Sequence, residues 1–450
     1  MAGASRPAEN RARYYIRELA ARRGWKPSPL PCEGHLLEEN EIASFFPDIG
    51  LGLDKPDFLC CLGGSPVMAV EVKAGATESD AAVKEAIHYA ESINASKKYA
   101  VKLAAGASGN EEQGFIVHVR FKPGTGEWAP LCAGGFELTT LPSKVEAELA
   151  SAAGDGTTRV EMPAPAEFID AAIEMSRILR TAKVEPAHRP KVLGALVLAM
   201  YQAAAAPSGS DNAMVALTLD RVNQLINAAV HQTDALGGRD RRVELVEALQ
   251  LTGAAYQQLE GRIGRIITIL RRLNVRAVMH SGVDFLGTFY EAFLRYGYDN
   301  NSLGIVFTPR HITRFCADLL DVDHNDRVVD LACGTGGFLV SAFDKMMLAA
   351  PSEEGRERIR NSLSLSGYDT NPTVWALAVL NMYFRGDGRS HIVRASSLTT
   401  RARAEVRQRF TKAFLNPPFS QDGEPERQFI DASMDACEPG GQLAVVVKAG

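Results

Sequence analysis

The sequence contains no long apolar run and no group of cysteines at metal-ligand spacing. A membrane-spanning helix needs about 20 consecutive apolar residues, and no stretch approaches that length. The first residues, Met1 to Arg6, lack the apolar core of a signal peptide. The seven cysteines are odd in number, and the adjacent Cys60 and Cys61 suit a buried strand better than a zinc site. These absences predict a protein of the reducing cytoplasm with no membrane partner, no structural disulfide and no zinc.

An excess of basic residues is absent as well. The chain has 49 lysine and arginine residues against 54 aspartate and glutamate residues, which gives a net charge of −5. Overall charge therefore does not indicate a nucleic-acid partner, and DNA binding would need local basic patches. With 450 residues, of which 46% are hydrophobic, the chain is predicted to form two to four soluble domains.

The order of the predicted elements divides the chain into three parts and indicates a multidomain α/β protein. Residues 1–145 combine helices with strands, and residues 160–300 read as an all-helical connector. Residues 301–450 alternate strands with helices, which is typical of a parallel sheet. Hydrophobic periodicity predicts helices over 8–24, 36–46, 165–181, 190–206, 213–231, 242–270 and 285–295.

A glycine-rich loop follows a predicted strand in the last third of the chain. The strand covers 327–331, and Gly334, Thr335, Gly336 and Gly337 lead from it into a helix that begins at Phe338. Glycines permit a tight turn and let the backbone approach a ligand. Asp369 ends the next predicted strand, where a carboxylate can bind ribose hydroxyls. The pattern alone fits a nicotinamide dinucleotide and S-adenosylmethionine equally well.

A second loop resolves this ambiguity. Asn416, Pro417, Pro418 and Phe419 follow a short strand over 412–415. Together with the glycine loop, this run resembles the N6-adenine DNA methyltransferases, in particular the methylation subunits of type I restriction systems and their relatives fused to nucleases. The resemblance implies a Rossmann-like fold and S-adenosylmethionine as cofactor. It also implies these cofactor-binding residues: Phe307, Thr308, Pro309, Asp330, Gly334, Thr335, Gly336, Gly337, Phe338, Asp369 and Ser397.

The residue types of the second loop suit the methylation of an amino group. The adenine amine is a poor nucleophile because its lone pair is delocalised into the ring. The Asn416 side-chain oxygen and the Pro417 carbonyl can accept its two N–H groups, while Pro418 stiffens the loop and Phe419 stacks on the base. The base must leave the duplex to reach such a pocket. Ser396 and Ser397 stand where the family often has an acidic residue that contacts the cofactor adenine.

The N-terminal part contains a second candidate site. Two short strands, over 55–62 and 67–73, are joined by a glycine-rich turn and predict a β-hairpin. Asp57 lies on the first strand, and Glu71 and Lys73 point to one face of the second. Two carboxylates can hold a divalent cation that activates water for phosphodiester hydrolysis, and the lysine can steer that water. The alternative is a surface hairpin with a salt bridge.

The surrounding residues resemble the PD-(D/E)xK nuclease superfamily, especially the nuclease domains of type I restriction subunits. Pro56-Asp57 and Glu71-Val72-Lys73 stand at the motif positions, and Glu85 replaces a glutamine that often follows. The resemblance implies catalytic roles for Asp57, Glu71 and Lys73, with Asp57 and Glu71 as ligands of Mg²⁺. A further helix carboxylate is expected among Glu38, Glu39 and Glu41, which the sequence does not separate.

The leading hypothesis from the sequence is a restriction–modification protein. It methylates adenine N6 and cleaves unmodified DNA in the cytoplasm of a bacterium or archaeon. One alternative keeps the methyltransferase and makes the nuclease-like part a degenerate DNA-binding module. Another is a non-catalytic component that senses methylation in phage defence. The partners expected are double-stranded DNA, a separate specificity subunit and a second copy of the chain. The methyltransferase sheet ends near its fifth strand, over 440–447, which suggests a fragment of a longer protein.

Overall fold

The structure, a computed structural model, describes most of the chain and divides it into two compact units. The first unit comprises Met1–Lys183, Ala203–Arg221 and Ala254–Val283, and the second comprises Val184–Gln202, Val222–Gly253 and Asp284–Gly450. None of the described helices is long and apolar enough to cross a membrane. The described residues are 6–28, 32–75, 77–111, 114–124, 126–159, 161–203, 218–275, 278, 289, 292–293, 308–387, 389–418 and 426–447.

A seven-stranded mixed sheet forms the centre of the first unit, with its strands in chain order across the sheet. The strands are β1 (Lys26–Pro27), β2 (His35–Glu38), β3 (Phe58–Leu62), β4 (Ser65–Lys73), β5 (Leu103–Asn110), β6 (Gly114–Phe121) and β7 (Ala129–Pro130). The predicted hairpin is confirmed, because β3 and β4 pair antiparallel through a tight turn. Strands β4 and β5 run parallel, as a helical connection between them requires.

Helices cover both faces of this sheet. They are α1 (Arg6–Arg22), α2 (Glu39–Phe45), α3 (Ser79–Ala95) and α4 (Lys144–Ala153). Strand side chains alternate between the faces, so Cys60 packs with Ile16 of α1, and the adjacent Cys61 packs with Ile42 of α2 and Ile93 of α3. This alternation explains how two neighbouring cysteines are both buried.

The helices between 165 and 272 are divided between the two units. They are α5 (Pro165–Thr181), α6 (Arg189–Ala203), α7 (Leu219–His231), α8 (Arg239–Leu249) and α9 (Ile263–Arg272). A small sheet also belongs to the first unit, with β8 (Cys132–Ala133), β9 (Phe136–Glu137) and β10 (Thr157–Thr158). Helix α9 packs on β6, where the Phe115 N–H donates to Thr268 Oγ1 at 2.7 Å. The predicted connector therefore does not stand as a third compact unit, because its apolar helix faces are covered within the other two.

A five-stranded parallel sheet forms the centre of the second unit. Its strands are β11 (Val328–Asp330), β12 (Leu365–Asp369), β13 (His391–Arg394), β14 (Phe410–Leu415) and β15 (Cys437–Val445). They are arranged in the order β13-β12-β11-β14-β15, and all neighbours pair parallel. This confirms the predicted Rossmann-like α/β fold of the C-terminal part.

Six further helices belong to this sheet. They are α10 (Arg310–Leu319), α11 (Gly337–Ala349), α12 (Glu353–Asn361), α13 (Pro372–Tyr383), α14 (Thr400–Val406) and α15 (Glu426–Ala436). Ala402 of α14 and Ala432 of α15 pack with Val329 and Ala413 on one face. Leu339 of α11 approaches Gly367 of β12 on the other face. Buried apolar side chains therefore fill both interlayer spaces.

Two predicted helices are wrong in their extent. Leu36 and Leu37 belong to β2, where they pair with Cys60 and Leu59 of β3, and helix α2 begins only at Glu39. The predicted helix over 242–270 is interrupted after α8 and resumes as a 3₁₀ segment over 254–262 before α9. Two features accompany the interruption: the Leu251 N–H donates to Asn223 Oδ1 at 2.8 Å, and Gly253 has a φ of +89°. The helix predicted over 285–295 lies largely outside the described residues.

Gly367 in β12 is a tight packing position. A Cβ atom there would lie 2.7 Å from Leu339 Cδ1 and 3.0 Å from Cys333 Sγ. Cys333 lies in the glycine loop, so Gly367 lets that loop and α11 approach the sheet closely. We expect Gly367→Ala to destabilise the second unit by about 1–3 kcal/mol, because the added methyl overpacks a filled core. Pulse proteolysis in urea, with fragments of residues 308–447 followed by mass spectrometry, measures this change.

Gly355→Ala is the matched control. In α12 a Cβ atom at Gly355 would meet Pro351 Cδ at 3.4 Å, an ordinary contact. Alanine favours a helix over glycine by up to about 1 kcal/mol, so this variant should be as stable as the wild type or more so. Equal urea midpoints for the two variants would contradict the packing role of Gly367.

Candidate functional site

The carboxyl ends of the parallel strands bring the predicted methylation residues to one edge of the second unit. Asp330 ends β11 and Asp369 ends β12, while Asn416 directly follows β14. In the register, Asp330 is paired with Gly367 of β12 and with Phe414 of β14. The chain turns towards opposite sides of the sheet after β11 and before β14, so a crevice opens between these strands. The sequence-predicted residues of both loops therefore converge at this crevice.

The glycine loop adopts a conformation that only glycine reaches easily. Gly334 has a φ of +55° and Gly336 a φ of +84°, and helix α11 begins at Gly337. A Cβ atom at Gly334 would project into open space rather than into protein. Asn381 of α13 donates to the Thr335 carbonyl at 3.1 Å and holds the loop. The loop therefore presents bare backbone and the N–H groups of a helix N-terminus towards the crevice.

Asp330 and Asp369 give this edge an uncompensated acidic character. Burial raises the pKa of Asp330 to about 7, an effect that the Ala332 N–H partly offsets and the Asp369 carboxylate increases. Burial also raises the pKa of Asp369 to about 6, against N–H groups of Asn371 and Gly334 that lower it. Among the described residues, no lysine or arginine forms an ion pair with either carboxyl group. Such a pair favours a ligand that donates hydrogen bonds or carries positive charge.

A hydrogen bond fixes the orientation of the Asn416 side chain and leaves its amide oxygen without a donor among the described residues. Its Nδ2 group donates to Thr308 Oγ1 at 2.9 Å, which assigns the amide oxygen to the opposite side. The Oδ1 atom is buried and has no hydrogen-bond partner among the described residues. A buried acceptor without a donor costs about 1–3 kcal/mol, so the arrangement suits a ligand that brings an N–H group. Pro417 beside it is buried, and Pro418 is half-buried.

Two other predicted cofactor residues have structural contacts. The Phe338 ring stacks on Phe414 with centroids 5.2 Å apart, so its side chain fixes α11 to β14. The buried Ser397 hydroxyl donates to the Leu331 carbonyl at 2.7 Å. Pro309 precedes the first turn of α10 and lies next to Thr308. The cofactor roles of these residues stay predictions, and Phe307 and Phe419 lie outside the described residues.

The first unit brings Asp57 and Glu71 together at the start of the hairpin. Phe58 pairs with Val70, so the residues next to them, Asp57 and Glu71, face each other across β3 and β4. Asp57 Oδ2 accepts the Val72 N–H at 2.7 Å. Burial raises the pKa of Asp57 to about 6, although Arg13 lowers it, and burial followed by the Asp57 charge raises the pKa of Glu71 to about 8.

Lys73 lies between two carboxylates. Its ammonium donates to Glu71 Oε1 at 3.0 Å and to Glu85 Oε2 at 2.5 Å. Burial lowers the pKa of Lys73, but the hydrogen bonds to Glu85 and Glu71 raise it above its ordinary value overall. A lysine held protonated in this way orients a reactant by charge and does not act as a base in this arrangement. The salt bridge of the alternative interpretation is thus present, but on a buried carboxylate.

Sequence reasoning missed a set of charged groups on the first helix. Arg13 of α1 forms an ion pair with Asp57, contacts Glu39 at 3.2 Å and lies 3.9 Å from Glu9. Of the three candidate helix carboxylates, Glu39 is therefore the one joined to Asp57, while Glu41 accepts the Glu38 N–H at 2.8 Å. Hydrophobic periodicity predicts this helix but gives no indication of which residues its arginines contact. A cavity of about 430 Å³ opens beside Asp57 and Arg13.

The carboxylates of the first unit fit a hard divalent cation in part. Glu71 Oε2 is buried without a hydrogen-bond partner among the described residues, and it lies beside a second buried carboxylate. Mg²⁺ is commonly held by one or two carboxylates, with water and phosphate oxygens completing its coordination. No cluster of three or more histidine, cysteine or acidic side chains suited to a metal occurs in the described ranges. The donor set therefore fits Mg²⁺ bound together with a substrate.

The C-terminal part of the chain is related to known methyltransferases. Residues 281–442 match the family described as N-6 DNA Methylase. The chain is 37% identical over 171 residues to the type II restriction enzyme and methyltransferase RM.BcgI of Heyndrickxia coagulans, which covers 36% of this chain and 27% of that protein. It is also 38% identical over 109 residues to the type I restriction enzyme MjaIX methylase subunit of Methanocaldococcus jannaschii. This match covers 24% of this chain and 18% of that protein. Residues 281–442 are thus similar to N6 DNA methyltransferases of type I and type II restriction–modification systems.

The chain spans about a quarter or less of the length of these two relatives. Among solved structures, a modification subunit assigned to a type I restriction enzyme of Vibrio vulnificus YJ016 is 20% identical, with a TM-score of 0.46. That match covers 64% of this chain and 72% of the other chain.

Asp330 gives the second unit a defined pH dependence. Its pKa is raised from 3.8 to about 7, so the folded state holds the proton more tightly than the unfolded state. The resulting stability is complete below pH 3.8 and is lost as the pH rises through 7. We expect Asp330→Asn to remove this loss, which amounts to at most about 1.4 kcal/mol per pH unit. The pKa of Asp369 is raised to about 6, so its titration overlaps that of Asp330. The unfolding free energy of the variant should therefore still fall with pH, but less steeply than that of the wild type.

Hydrogen exchange of peptides covering β11, corrected for the intrinsic rate at each pH, measures the opening free energy. Glu354→Gln on the exposed surface of α12 is the control and should reproduce the wild-type slope. An unchanged slope in Asp330→Asn would show that Asp330 is ionised normally in the folded state.

Proposed function

We propose that this chain carries an S-adenosylmethionine-dependent adenine-N6 DNA methyltransferase in its second unit and a Mg²⁺-dependent DNA nuclease in its first. The methyltransferase rests on one observation above the others, the buried and unpartnered Oδ1 atom of Asn416. The relationship of residues 281–442 to N-6 DNA methylases supports the same assignment. The nuclease rests on the facing carboxylates Asp57 and Glu71.

Asn416 acts in this proposal on the amino group of an adenine. Thr308 takes up the Nδ2 group, so Oδ1 is turned away from it and is ready to accept an N–H of the base. The Pro417 carbonyl accepts the second N–H, because proline has no N–H of its own to compete. Both contacts draw the nitrogen lone pair out of the ring and direct it at the methyl group. Positioning of this kind contributes much of the rate in a displacement reaction.

The crevice between β11 and β14 holds the cofactor in the proposal. Bound there, S-adenosylmethionine supplies an electrophilic methyl group. Asp369 would accept hydrogen bonds from its ribose hydroxyls, and Asp330 with the glycine loop would hold the ammonium group of its amino acid end. The two carboxyl groups lack cationic partners among the described residues, and this supports a ligand of such chemistry. Open space at Gly334 supports close approach of the backbone.

Double-stranded DNA is the proposed substrate, and an adenine flipped out of the duplex is the base that reaches Asn416. The net charge of −5 places phosphate contacts on local arginine groups rather than on the protein as a whole. Sequence recognition by a specificity subunit and association with a second copy belong to the proposal as well. The relatives include a type I methylase subunit and a combined type II restriction enzyme and methyltransferase, which supports a restriction–modification role.

The proposed nuclease uses Asp57, Glu71 and Lys73 of the first unit. Asp57 and Glu71 hold the cation, for which Glu71 Oε2 offers a free lone pair. When bound, Mg²⁺ activates water and offsets charge on the scissile phosphate. Lys73 keeps its proton through Glu71 and Glu85 and places positive charge beside the reacting phosphate. The degenerate DNA-binding alternative predicts no cleavage by the same residues.

Asn416→Ala tests the methyltransferase. We expect the variant to lose methyl transfer to DNA by a factor of about 100 or more, because it removes an acceptor that acts in the transition state. Binding of S-adenosylmethionine should change little, since Asn416 contacts the base and not the cofactor. Transfer of tritiated methyl groups to unmethylated DNA and calorimetric binding of the cofactor measure the two effects.

Asn361→Ala, on α12 and away from the crevice, is the control and should transfer methyl groups like the wild type. Equal transfer by Asn416→Ala and the wild type would refute the role of Asn416. A wild-type chain that binds S-adenosylmethionine and transfers no methyl group with any DNA or specificity subunit would favour the non-catalytic sensing alternative.

Asp57→Asn tests the nuclease. The substitution keeps the shape of the side chain but removes its charge, so we expect Mg²⁺-dependent cleavage of unmethylated DNA to fall below detection. The position is paired to the Val72 N–H, which an asparagine oxygen still accepts. Conversion of supercoiled DNA to nicked and linear forms is the measurement, with and without Mg²⁺.

Asp48→Asn serves as the control, since Asp48 is exposed and pairs only weakly with Lys98 at 3.5 Å. It should cleave like the wild type. Cleavage that persists in Asp57→Asn would place the nuclease activity elsewhere or exclude it from this unit.

A further inference from the structure

We propose that Arg13 is a movable cation that links DNA phosphate binding to divalent cation binding in the first unit. In the free protein it occupies Asp57, and in the complex it moves into the adjoining cavity and binds a backbone phosphate. The inference rests on the proposed nuclease site at Asp57 and Glu71 and adds a ligand subsite and a coupling to it.

Both oxygens of Asp57 are occupied in the structure. Oδ2 accepts the Val72 N–H, a main-chain group in a central strand that cannot turn away. Oδ1 is paired with the Arg13 guanidinium. Each carboxylate oxygen has a second lone pair, but the positive charge of the guanidinium at Oδ1 repels a divalent cation, and of the two partners only the arginine can leave. Arg13 therefore stands where a cation at Asp57 would have to bind.

Arg13 is partly exposed and has partners besides Asp57. Its side chain is 36% exposed on α1, and its buried Nε atom has no hydrogen-bond partner among the described residues. It also contacts Glu39 at 3.2 Å and lies 3.9 Å from Glu9, and both of these carboxylates are more exposed than Asp57. A guanidinium exchanges one carboxylate for a phosphate oxygen at little cost, because both accept its paired N–H groups.

The cavity beside Asp57 offers the place for the phosphate. It has a volume of about 430 Å³, which leaves room for a phosphate group and several waters. Its charged lining consists of Arg13, Arg17, Glu38, Glu39 and Asp57. Arg17 is paired with Glu38 at 3.0 Å, so Arg13 and Asp57 are the pair whose separation would open the site. A cation on Asp57 removes one negative charge from this lining and makes the cavity more favourable for phosphate.

Coupling of this kind is reciprocal. DNA that draws Arg13 away strengthens cation binding, and a cation that displaces Arg13 strengthens DNA binding by the same factor. The first unit would therefore hold its cation only weakly until DNA is bound. This arrangement limits hydrolysis to DNA that lies in the site.

Binding of Mn²⁺, followed by its electron paramagnetic resonance signal, tests the coupling in the full chain. Short phosphorothioate duplexes of mixed sequence supply DNA phosphates that resist cleavage. We expect DNA to tighten Mn²⁺ binding by the wild type about fivefold or more. Arg13→Gln should bind Mn²⁺ more tightly than the wild type without DNA. DNA should tighten Mn²⁺ binding by a smaller factor in this variant than in the wild type, because only direct ligation of the metal by phosphate remains.

Two variants keep the test specific. Arg11→Gln removes a positive charge from the same helix outside the cavity lining, where Arg11 is exposed and lies 3.8 Å from Glu111, so it should retain the coupling. Arg13→Lys keeps a cation for Asp57 and should retain part of it, which separates loss of charge from loss of fold. Equal Mn²⁺ affinities for Arg13→Gln and the wild type without DNA, or an effect of DNA on Mn²⁺ binding that is as large in Arg13→Gln as in the wild type, would overturn the role of Arg13.

Asp57→Asn distinguishes this failure from failure of the nuclease site. Loss of Mn²⁺ binding in Asp57→Asn places the metal at Asp57, so that an unchanged Arg13→Gln then counts against the coupling alone. Mn²⁺ binding that is the same in Asp57→Asn and the wild type overturns the proposed metal site, and the coupling with it.

Discussion

Burial of oxygen atoms without donors is the constraint on which both candidate sites depend. Asn416 Oδ1 in the second unit and Glu71 Oε2 in the first are each enclosed by protein, and neither has a partner among the described residues. Each such atom costs roughly 1–3 kcal/mol in the free protein. Neighbouring hydrogen bonds fix the orientation of both side chains: Thr308 accepts from the Asn416 amide, and Lys73 donates to the other oxygen of Glu71. A ligand that satisfies these atoms recovers that free energy on binding.

The two units bring their candidate functional residues together with different kinds of strand pairing. In the second unit, parallel strands place Asp330, Asp369 and Asn416 at one edge, and glycines keep the space beside them open. In the first unit, an antiparallel hairpin sets Asp57 opposite Glu71, and helices α1 and α3 bring Arg13 and Glu85 to them. Buried carboxyl groups with raised pKa values occur in both places, since burial outweighs the charges available to each. Perturbed groups that converge in this way are typical of functional sites.

Much of the fold followed from local patterns. Helix α5 has the predicted bounds, because its apolar periodicity is unbroken and a proline marks its first residue. The start of the helix predicted over 36–46 is wrong. The apolar pair Leu36 and Leu37 fits a helix or a strand equally well, and only pairing with β3 decides for the strand. The break after α8 depends on Asn223, a residue 28 positions away from Leu251. Distant partners of that kind are invisible to periodicity.

The sequence by itself determined the chemistry of the loops. Proline fixes its own φ angle, and glycine permits the positive φ angles found at Gly334 and Gly336. Glu71 and Lys73 share a face because they are two residues apart on one strand. Only the tertiary structure decided which groups these residues meet. It paired Asn416 with Thr308, turned Ser397 to the Leu331 carbonyl and set Arg13 on Asp57. Such pairings depend on the packing of helices and strands far apart in the chain, which no local pattern contains.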